Sequence, residues 1–181
     1  MMLSTSKTGE LLNPAAIFAH AHIKNGMRVA DLCCGSSGHF IFPLSKLVGE
    51  EGAVYAVDVL KSALNGIEGR AKLEGAINIS MVWSDLEKYG ATKIESESLD
   101  CVSFINDQPK ISMIKEGARL LKPGGTLLIV DWTMKMVVLG PSPEKRVGAE
   151  VYKEVVPPLG FSLKEQFIAG QYHYGLVFQK V

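Results

Sequence analysis

The sequence predicts an α/β domain with a doubly wound, mostly parallel, seven-stranded sheet that ends in an antiparallel hairpin. Short apolar runs alternate with longer helical patterns, which is the rhythm of successive βαβ units. Most of these runs are continuously apolar, as expected of strands covered by helices on both faces. The last two runs flank the turn pair Gly170-Gln171, so the sheet gains at least one antiparallel strand.

Five parallel strands and two hairpin strands are predicted from these runs. The strands are Met27 to Leu32, Ala53 to Asp58, Asn78 to Trp83, Leu99 to Ile105, Gly125 to Trp132, Phe161 to Ala169 and Tyr172 to Gln179.

Stop and start signals place helices between the strands. Asn13-Pro14 is typical of an N-cap followed by a helix-opening proline and predicts a helix to about Lys24. Pro109 is placed to open the helix before the fifth strand. Two more predicted helices end at Gly49 and Gly75. A last helix is predicted before the hairpin, after Pro143 and up to about Val156.

Composition indicates one folded domain over residues 1–181. The chain is 47% hydrophobic and 21% charged, which excludes a disordered chain. Its 19 basic and 19 acidic residues give no net positive field, so we expect neither a nucleic-acid nor a membrane partner.

The N-terminus does not resemble a secretory signal, which predicts a cytoplasmic protein. Cys33, Cys34 and Cys101 fit neither a disulfide framework nor a zinc spacing, so no metal is predicted.

A glycine-containing turn follows the first strand. The residues from Asp31 to Gly38, DLCCGSSG, lead from the strand into a helix. Turns of this kind bring backbone close to a ligand outside the carboxyl ends of parallel strands. We therefore expect a nucleotide-type ligand at this edge of the sheet.

Three acids stand near the ends of the first three strands: Asp31, Asp58 and Asp85. Those ends lie side by side in an open parallel sheet, so the three carboxylates would line one cleft. Asp58 follows Gly38 at the distance of about 20 residues that is typical of an acid holding ribose hydroxyls. For any one of them, a solvated strand end or a helix cap is the plainer interpretation.

A nicotinamide dehydrogenase is the competing interpretation of the turn, since Cys33 to Gly38 differs from G-x-G-x-x-G by the first glycine. Asp31 argues against it. An acid just before the turn would repel a pyrophosphate, whereas a ligand with ammonium and sulfonium groups would be attracted. The charge pattern favours a cationic ligand that carries an adenosine.

These motifs resemble the seven-stranded S-adenosylmethionine-dependent methyltransferases, which have a Rossmann-like fold, and the resemblance runs from Leu12 to Val181. Leu120 to Gly125 looks like the family's approach to its fifth strand, and the closing hairpin, Gln171 to Gly175, resembles the small-molecule branch that includes quinone-biosynthesis and arsenite-type enzymes. The resemblance implies S-adenosylmethionine as cofactor. It implies an N-terminal helical segment, residues 1–26, over the cofactor end. It assigns cofactor binding to Asp31, Cys33, Gly35, Gly38, Asp58, Val59, Asp85, Leu86 and Asn106.

The chain departs from the family at Cys33 and Ser37, where glycines are usual, so we expect Cys33 to narrow the site and Gly38 to take over the flexible position. Asn106 and Asp107 follow the fourth strand, where the transferring methyl should lie, and are the candidates for orienting an acceptor. Capping of the helix opened by Pro109 is an equally good interpretation of both.

The expected function is methyl transfer from S-adenosylmethionine to a small-molecule acceptor. An RNA or protein methyltransferase, and a cofactor-binding protein without turnover, remain the alternatives. A general base is optional for this reaction, because the cofactor itself is the electrophile. The sequence does not name the acceptor or the oligomeric state.

Overall fold

A computed structural model of the protein describes residues 11–135 and 139–181. It contains one seven-stranded sheet in the order β3-β2-β1-β4-β5-β7-β6. The strands are β1 Arg28–Leu32, β2 Ala53–Asp58, β3 Ile79–Trp83, β4 Leu99–Ile105, β5 Leu121–Trp132, β6 Phe161–Gly170 and β7 His173–Lys180. The helices are α1 Pro14–His20, α2 Ile41–Val48, α3 Lys61–Glu74, α4 Ile111–Leu120 and α5 Ala149–Val155.

The pairing of the strands confirms the predicted fold class. Strands β1 to β5 run parallel, and β7 is antiparallel to both β5 and β6. In the register, Asp31 of β1 lies beside Ala56 of β2 and Ser103 of β4. The carboxyl ends of β1, β2 and β4 therefore meet at one edge, in the middle of the sheet.

Two apolar clusters, one on each face of the sheet, form the core of the described residues. Residues from α1, α2 and α3 pack on one face around Val29, Val54 and Leu128. Residues from α4 and α5 pack on the other face around Val102 and Leu127. Burial on both faces is why the strands are continuously apolar rather than alternating.

The first helix ends earlier than predicted, at His20 rather than Lys24. His22 has a φ of +52°, which takes the chain out of the helix. The His20 ring stacks on Phe167 at 3.8 Å between centroids, and its Nδ1 lies 2.8 Å from Glu165 Oε1. These contacts attach α1 to β6. Residues 1–10 of the predicted N-terminal segment lie outside the described residues.

Two other helix boundaries differ from the prediction. Helix α4 begins at Ile111 with Lys110 as its N-cap, so Pro109 precedes the helix instead of opening it. In the segment predicted as one helix after Pro143, the structure has a 3₁₀ turn, Pro143–Lys145, and then α5. Arg146 is extended, with φ −82° and ψ 146°, and ends the 3₁₀ turn. Its buried guanidinium donates to the carbonyl groups of Thr133, Lys135, Leu139 and Pro141.

Strand β5 starts at Leu121, earlier than the predicted Gly125. Leu121 pairs with Leu99, and the register then shifts before Thr126 pairs with Cys101. The four residues between are a bulge next to the end of α4.

Among the residues that the structure describes, none of the helices combines the length and hydrophobicity needed to cross a bilayer.

Candidate active site

The turn after β1 uses the left-handed backbone region three times. Cys33, Gly35 and Gly38 have φ values of +64°, +63° and +65°. Glycine adopts this conformation freely, but a side chain such as that of Cys33 adopts it at a cost in strain. Strain of this kind persists where the surroundings fix the backbone, and it is concentrated at functional sites. The Cys34 N–H donates to the Val57 carbonyl over 3.1 Å, which fixes the turn against β2.

Asp31 is buried at the end of β1, with 2% of its surface exposed. The Ser103 hydroxyl donates to Asp31 Oδ1 over 2.7 Å from the neighbouring strand. Burial raises the pKa of Asp31 to about 7, the charge of Asp58 adds to the rise, and the hydrogen bond from Ser103 opposes it. The carboxyl group is therefore suited to ionise when a cation is placed next to it.

We expect the affinity for S-adenosylhomocysteine to decrease as the pH falls below 7. The resemblance assigns Asp31 to the methionine part of this ligand, where the carboxylate would pair with the ammonium group. Because the pKa of Asp31 is raised to about 7, a lower pH protonates the carboxylate and removes that pairing. The dissociation constant should rise about tenfold per pH unit below 7. Calorimetry between pH 5.5 and 8.5 measures this.

Ser103→Ala provides the control for this titration. Removing the hydroxyl that stabilises the carboxylate should move the midpoint to higher pH. An unchanged midpoint would show that Asp31 does not control the pH dependence.

Asp58 connects the turn to the next strand. Its Oδ2 accepts the Gly35 N–H over 2.9 Å, and its Oδ1 accepts the Leu60 N–H over 2.8 Å. A carboxylate has about four acceptor positions, so two remain for ligand hydroxyls. The exposed Val59 follows, and its carbonyl accepts the Trp83 indole N–H over 2.8 Å. Val59 and the half-exposed Trp83 thus present apolar surface beside Asp58.

Asp85 lies one strand further out on the same edge. Its Oδ1 accepts the Glu87 N–H over 3.2 Å, and its Oδ2 lies 3.2 Å from Lys88 Nζ. Leu86 is buried in the apolar cluster on the α4 side of the sheet. The strand order thus places Asp31, Asp58 and Asp85 in sequence along one edge, but Asp85 has its own cation.

A second pair of acids, Asp107 and Asp131, stands on the other side of Asp31. Burial raises the pKa of Asp107 to about 9, and the charge of Asp31 adds most to this effect. Burial also raises the pKa of Asp131 to about 6. Asp31, Asp58, Asp107 and Asp131 therefore share one electrostatic neighbourhood, which we call the acid cluster.

The capping interpretation of Asn106 and Asp107 is wrong. Helix α4 has Lys110 as its N-cap and no side-chain hydrogen bond at that position. Asn106 instead has a φ of +64°, and its N–H donates to the Val130 carbonyl over 2.8 Å. Neither side chain is therefore used to cap α4.

Three polar residues at this edge were not predicted from the sequence: Ser103, Asp131 and Tyr152. Ser103 and Asp131 are polar residues within apolar strands, which is a signal in itself because buried polar groups require partners. Tyr152 lies on an ordinary amphipathic helix, where no sequence signal distinguishes it from a core residue. Within the described ranges, no group of three or more His, Cys, Asp or Glu residues is arranged to hold a metal ion.

The fold is an open α/β sheet, and at its central carboxyl edge lie buried acids and a turn with residues in the left-handed backbone region. This combination is typical of proteins that bind a nucleotide-containing cofactor. Residues 23–156 match the family described as methyltransferase domain, and the chain belongs to that family.

Similarity to individual proteins agrees with this membership. The chain is 30% identical over 140 residues to a demethylmenaquinone methyltransferase of Lactococcus lactis, covering 75% of this chain and 52% of that enzyme. It is 32% identical over 122 residues to a ubiquinone/menaquinone biosynthesis C-methyltransferase of Yersinia enterocolitica, covering 64% and 46%. It thus spans about half the length of these relatives.

A solved structure of similar size is the SAM-dependent methyltransferase from Aquifex aeolicus. The TM-score is 0.87 at 25% sequence identity, and the superposition covers 94% of this chain and 91% of that one.

Proposed function

We propose that the protein is an S-adenosylmethionine-dependent methyltransferase that acts on a small molecule. The observation that carries the proposal is the buried Asp31, held by Ser103 beside the left-handed turn that Asp58 fixes. A buried acid without a cation among the described residues attracts the ammonium and sulfonium groups of this cofactor. A pyrophosphate cofactor would be repelled at the same place.

The residues of the edge suit the parts of the cofactor. Asp31 and the backbone of Cys33, Gly35 and Gly38 would hold the methionine part. Asp58 would accept hydrogen bonds from the ribose hydroxyls, with Val59 and Trp83 beside the adenine. Asp85 and Leu86 would lie at the outer end of the adenine, and Asn106 near the methyl group. The cofactor supplies the methyl group as an electrophile, and the protein aligns the acceptor and excludes water.

A reduced quinone or a related hydroxylated ring is the acceptor class that we propose. One relative is named as a demethylmenaquinone methyltransferase, and the other as a ubiquinone/menaquinone biosynthesis C-methyltransferase. The balanced net charge supports a small acceptor over a nucleic acid. We further propose that the N-terminal segment, residues 1–26, covers the cofactor end, since the carbonyl of Leu12 lies 3.1 Å from His39 Nε2, next to the turn.

Transfer of a labelled methyl group tests this function. The protein should convert methyl-labelled S-adenosylmethionine and a reduced naphthoquinone into a labelled product and S-adenosylhomocysteine. An Asp31→Asn, Asp58→Asn double variant is the control for contaminating activity. If the wild type binds the cofactor but methylates no quinol, amine, thiol or RNA, the cofactor-binding alternative without turnover holds instead.

A further inference from the structure

The segment after β4 is fixed on both sides of Asp107. Asn106 and Gln108 have φ values of +64° and +47°, and neither is a glycine. The Asn106 N–H donates to the Val130 carbonyl over 2.8 Å, and the Gln108 N–H donates to Asp131 Oδ2 over 3.0 Å. Strained conformations of this kind persist because neighbouring structure enforces them. Strand β5 thus holds Asp107 in the acid cluster.

Asp131 is fully buried and already committed to the backbone. Its second oxygen, Oδ1, accepts the N–H of Trp132 over 2.7 Å. Both carboxylate oxygens therefore fix main chain. Its role toward Asp107 is to hold the loop and to place a negative charge beside it.

Tyr152 lies on α5, in the helical layer that packs on the α4 side of the sheet. The residue is 2% exposed, and its hydroxyl has no hydrogen-bond partner in the part of the chain that the structure describes. Burial raises the pKa of this hydroxyl, and the charges of Asp131 and Asp107 raise it further. A buried hydroxyl without a partner destabilises a protein, and native structures retain one where a ligand or water completes it.

Tyr174 on β7 lies in the same apolar cluster as Tyr152, but its hydroxyl has a hydrogen-bond partner. Its hydroxyl donates to the Val147 carbonyl over 2.7 Å, just before α5 begins. That bond is a structural anchor for the helix that carries Tyr152. The two tyrosines can therefore be compared directly: within the described residues, the Tyr174 hydroxyl has a hydrogen-bond partner and the Tyr152 hydroxyl has none.

We propose that Asp107, positioned by Asp131 and faced by Tyr152, accepts the proton of a hydroxyl group on the methyl acceptor. The proposal rests on the proposed function and deepens it, since it assigns the acceptor to compounds with an acidic hydroxyl, a phenol or an enol. The Tyr152 hydroxyl donates a hydrogen bond to the acceptor oxygen as negative charge develops there.

The step balances without another reactant. The hydroxyl proton moves to an Asp107 carboxylate oxygen, and the acceptor oxygen keeps the bonding pair. The conjugated ring carbon forms the bond to the methyl group while the methyl–sulfur pair stays on sulfur, which leaves a neutral thioether. The ring carbon then loses its own proton to solvent, which restores the aromatic or enol system as an oxyanion. Asp107 returns its proton to that oxygen, so the hydroxylated product and the Asp107 carboxylate are both regenerated.

The charges around Asp107 make this base dependent on the cofactor. The charges of Asp31 of β1, Asp131 of β5 and Asp58 of β2 raise its pKa, and a backbone hydrogen bond at Ile105 opposes them. The charge of Asp107 acts in turn on Cys33 of the turn after β1 and on Tyr152 of α5. None of these groups is a cation, so Asp107, with a pKa of about 9, is protonated at pH 7. The positive charge of the bound cofactor lowers that pKa, and Asp107 becomes a base only when the methyl donor is present.

A comparison of Tyr152→Phe with Tyr174→Phe tests the role of the hydroxyl. With 1,4-dihydroxynaphthalene as acceptor, Tyr152→Phe should lower kcat about 10²-fold, at unchanged affinity for S-adenosylhomocysteine and unchanged or higher Tm. Tyr174→Phe should lower Tm and keep kcat. The dimethyl ether of the acceptor should not be methylated. Equal kcat in the two variants, or transfer to amines or thiols but to no hydroxylated ring, overturns the proposal.

Proton release on cofactor binding tests Asp107 without any acceptor. Calorimetry at pH 7 in two buffers of different ionisation enthalpy should show that S-adenosylmethionine releases up to about one proton more than S-adenosylhomocysteine. Asp107→Asn should abolish that difference, and Tyr174→Phe should retain it. An equal release in wild type and Asp107→Asn overturns the proposal, whereas failure of both ligands to bind would reject the proposed function itself.

Discussion

Replacing Asp58 with alanine is expected to weaken the binding of S-adenosylhomocysteine strongly. The variant loses the acceptor that fixes Gly35 and Leu60, and it loses the carboxylate proposed for the ribose hydroxyls. A hydrogen bond to a charged group contributes about 1.5–3 kcal/mol, so the loss of two raises Kd about 100-fold or more. Isothermal titration calorimetry with S-adenosylhomocysteine at pH 8 measures this.

Asp100→Ala is the matched control for Asp58→Ala. Asp100 also accepts a backbone N–H, that of Arg28 over 2.8 Å, and pairs with Lys122, but it lies at the start of β4, at the opposite edge of the sheet. Both variants lose an acceptor of a backbone N–H, so both should have a lower Tm. Only Asp58→Ala should lose the ligand, and equal loss in both would indicate that general destabilisation explains the effect.

Replacing Glu116 with alanine is expected to have the largest effect on folding. Glu116 is fully buried on α4, where its carboxylate accepts the N–H groups of Gly90 and Thr92 and pairs with Arg119 at 2.8 Å. Removal of one partner of a buried ion pair leaves the other charge without compensation and costs about 3–5 kcal/mol. Urea denaturation followed by circular dichroism measures the loss.

Glu74→Ala is the control for Glu116→Ala, because it removes an exposed Glu–Arg ion pair with a similar nitrogen–oxygen distance. Glu74 lies 2.6 Å from Arg70, but both side chains are exposed by more than a third. An exposed pair of this kind contributes about 0.2–1 kcal/mol, so the variant should remain near wild type. Similar losses in the two variants would contradict the role given to Glu116.

The contribution of Glu116 should also depend on pH. Burial alone raises the pKa of Glu116, but hydrogen bonds from Arg119 and from the N–H groups of the facing segment outweigh burial and lower the pKa to about 2. A folded-state pKa below the ordinary value of 4.5 means that the stabilisation is complete above that pH. It is lost as the pH falls toward 2, and Glu116→Gln should remove this part of the acid dependence.

The sequence by itself determined the sheet and the edge of the sheet at which the candidate site lies. Apolar runs interrupted by turn residues define strands whatever the distant partner is, and parallel strands place their carboxyl ends at one edge. The positions of Asp31 and Asp58 follow from this rule alone. Cys33 and Gly35 could also be singled out, because a turn that approaches a ligand requires the left-handed region.

Only the tertiary structure decided which acids interact and which helix packs beside the candidate site. Asp85 belongs to the same edge, but the sheet places it beyond Asp58 with Lys88 as its partner, whereas Asp107 and Asp131 join Asp31. Tyr152 reaches this group from a helix of another layer. Local patterns record which residues an element buries, but pKa shifts and unpartnered hydroxyls arise from groups distant in sequence that packing brings together.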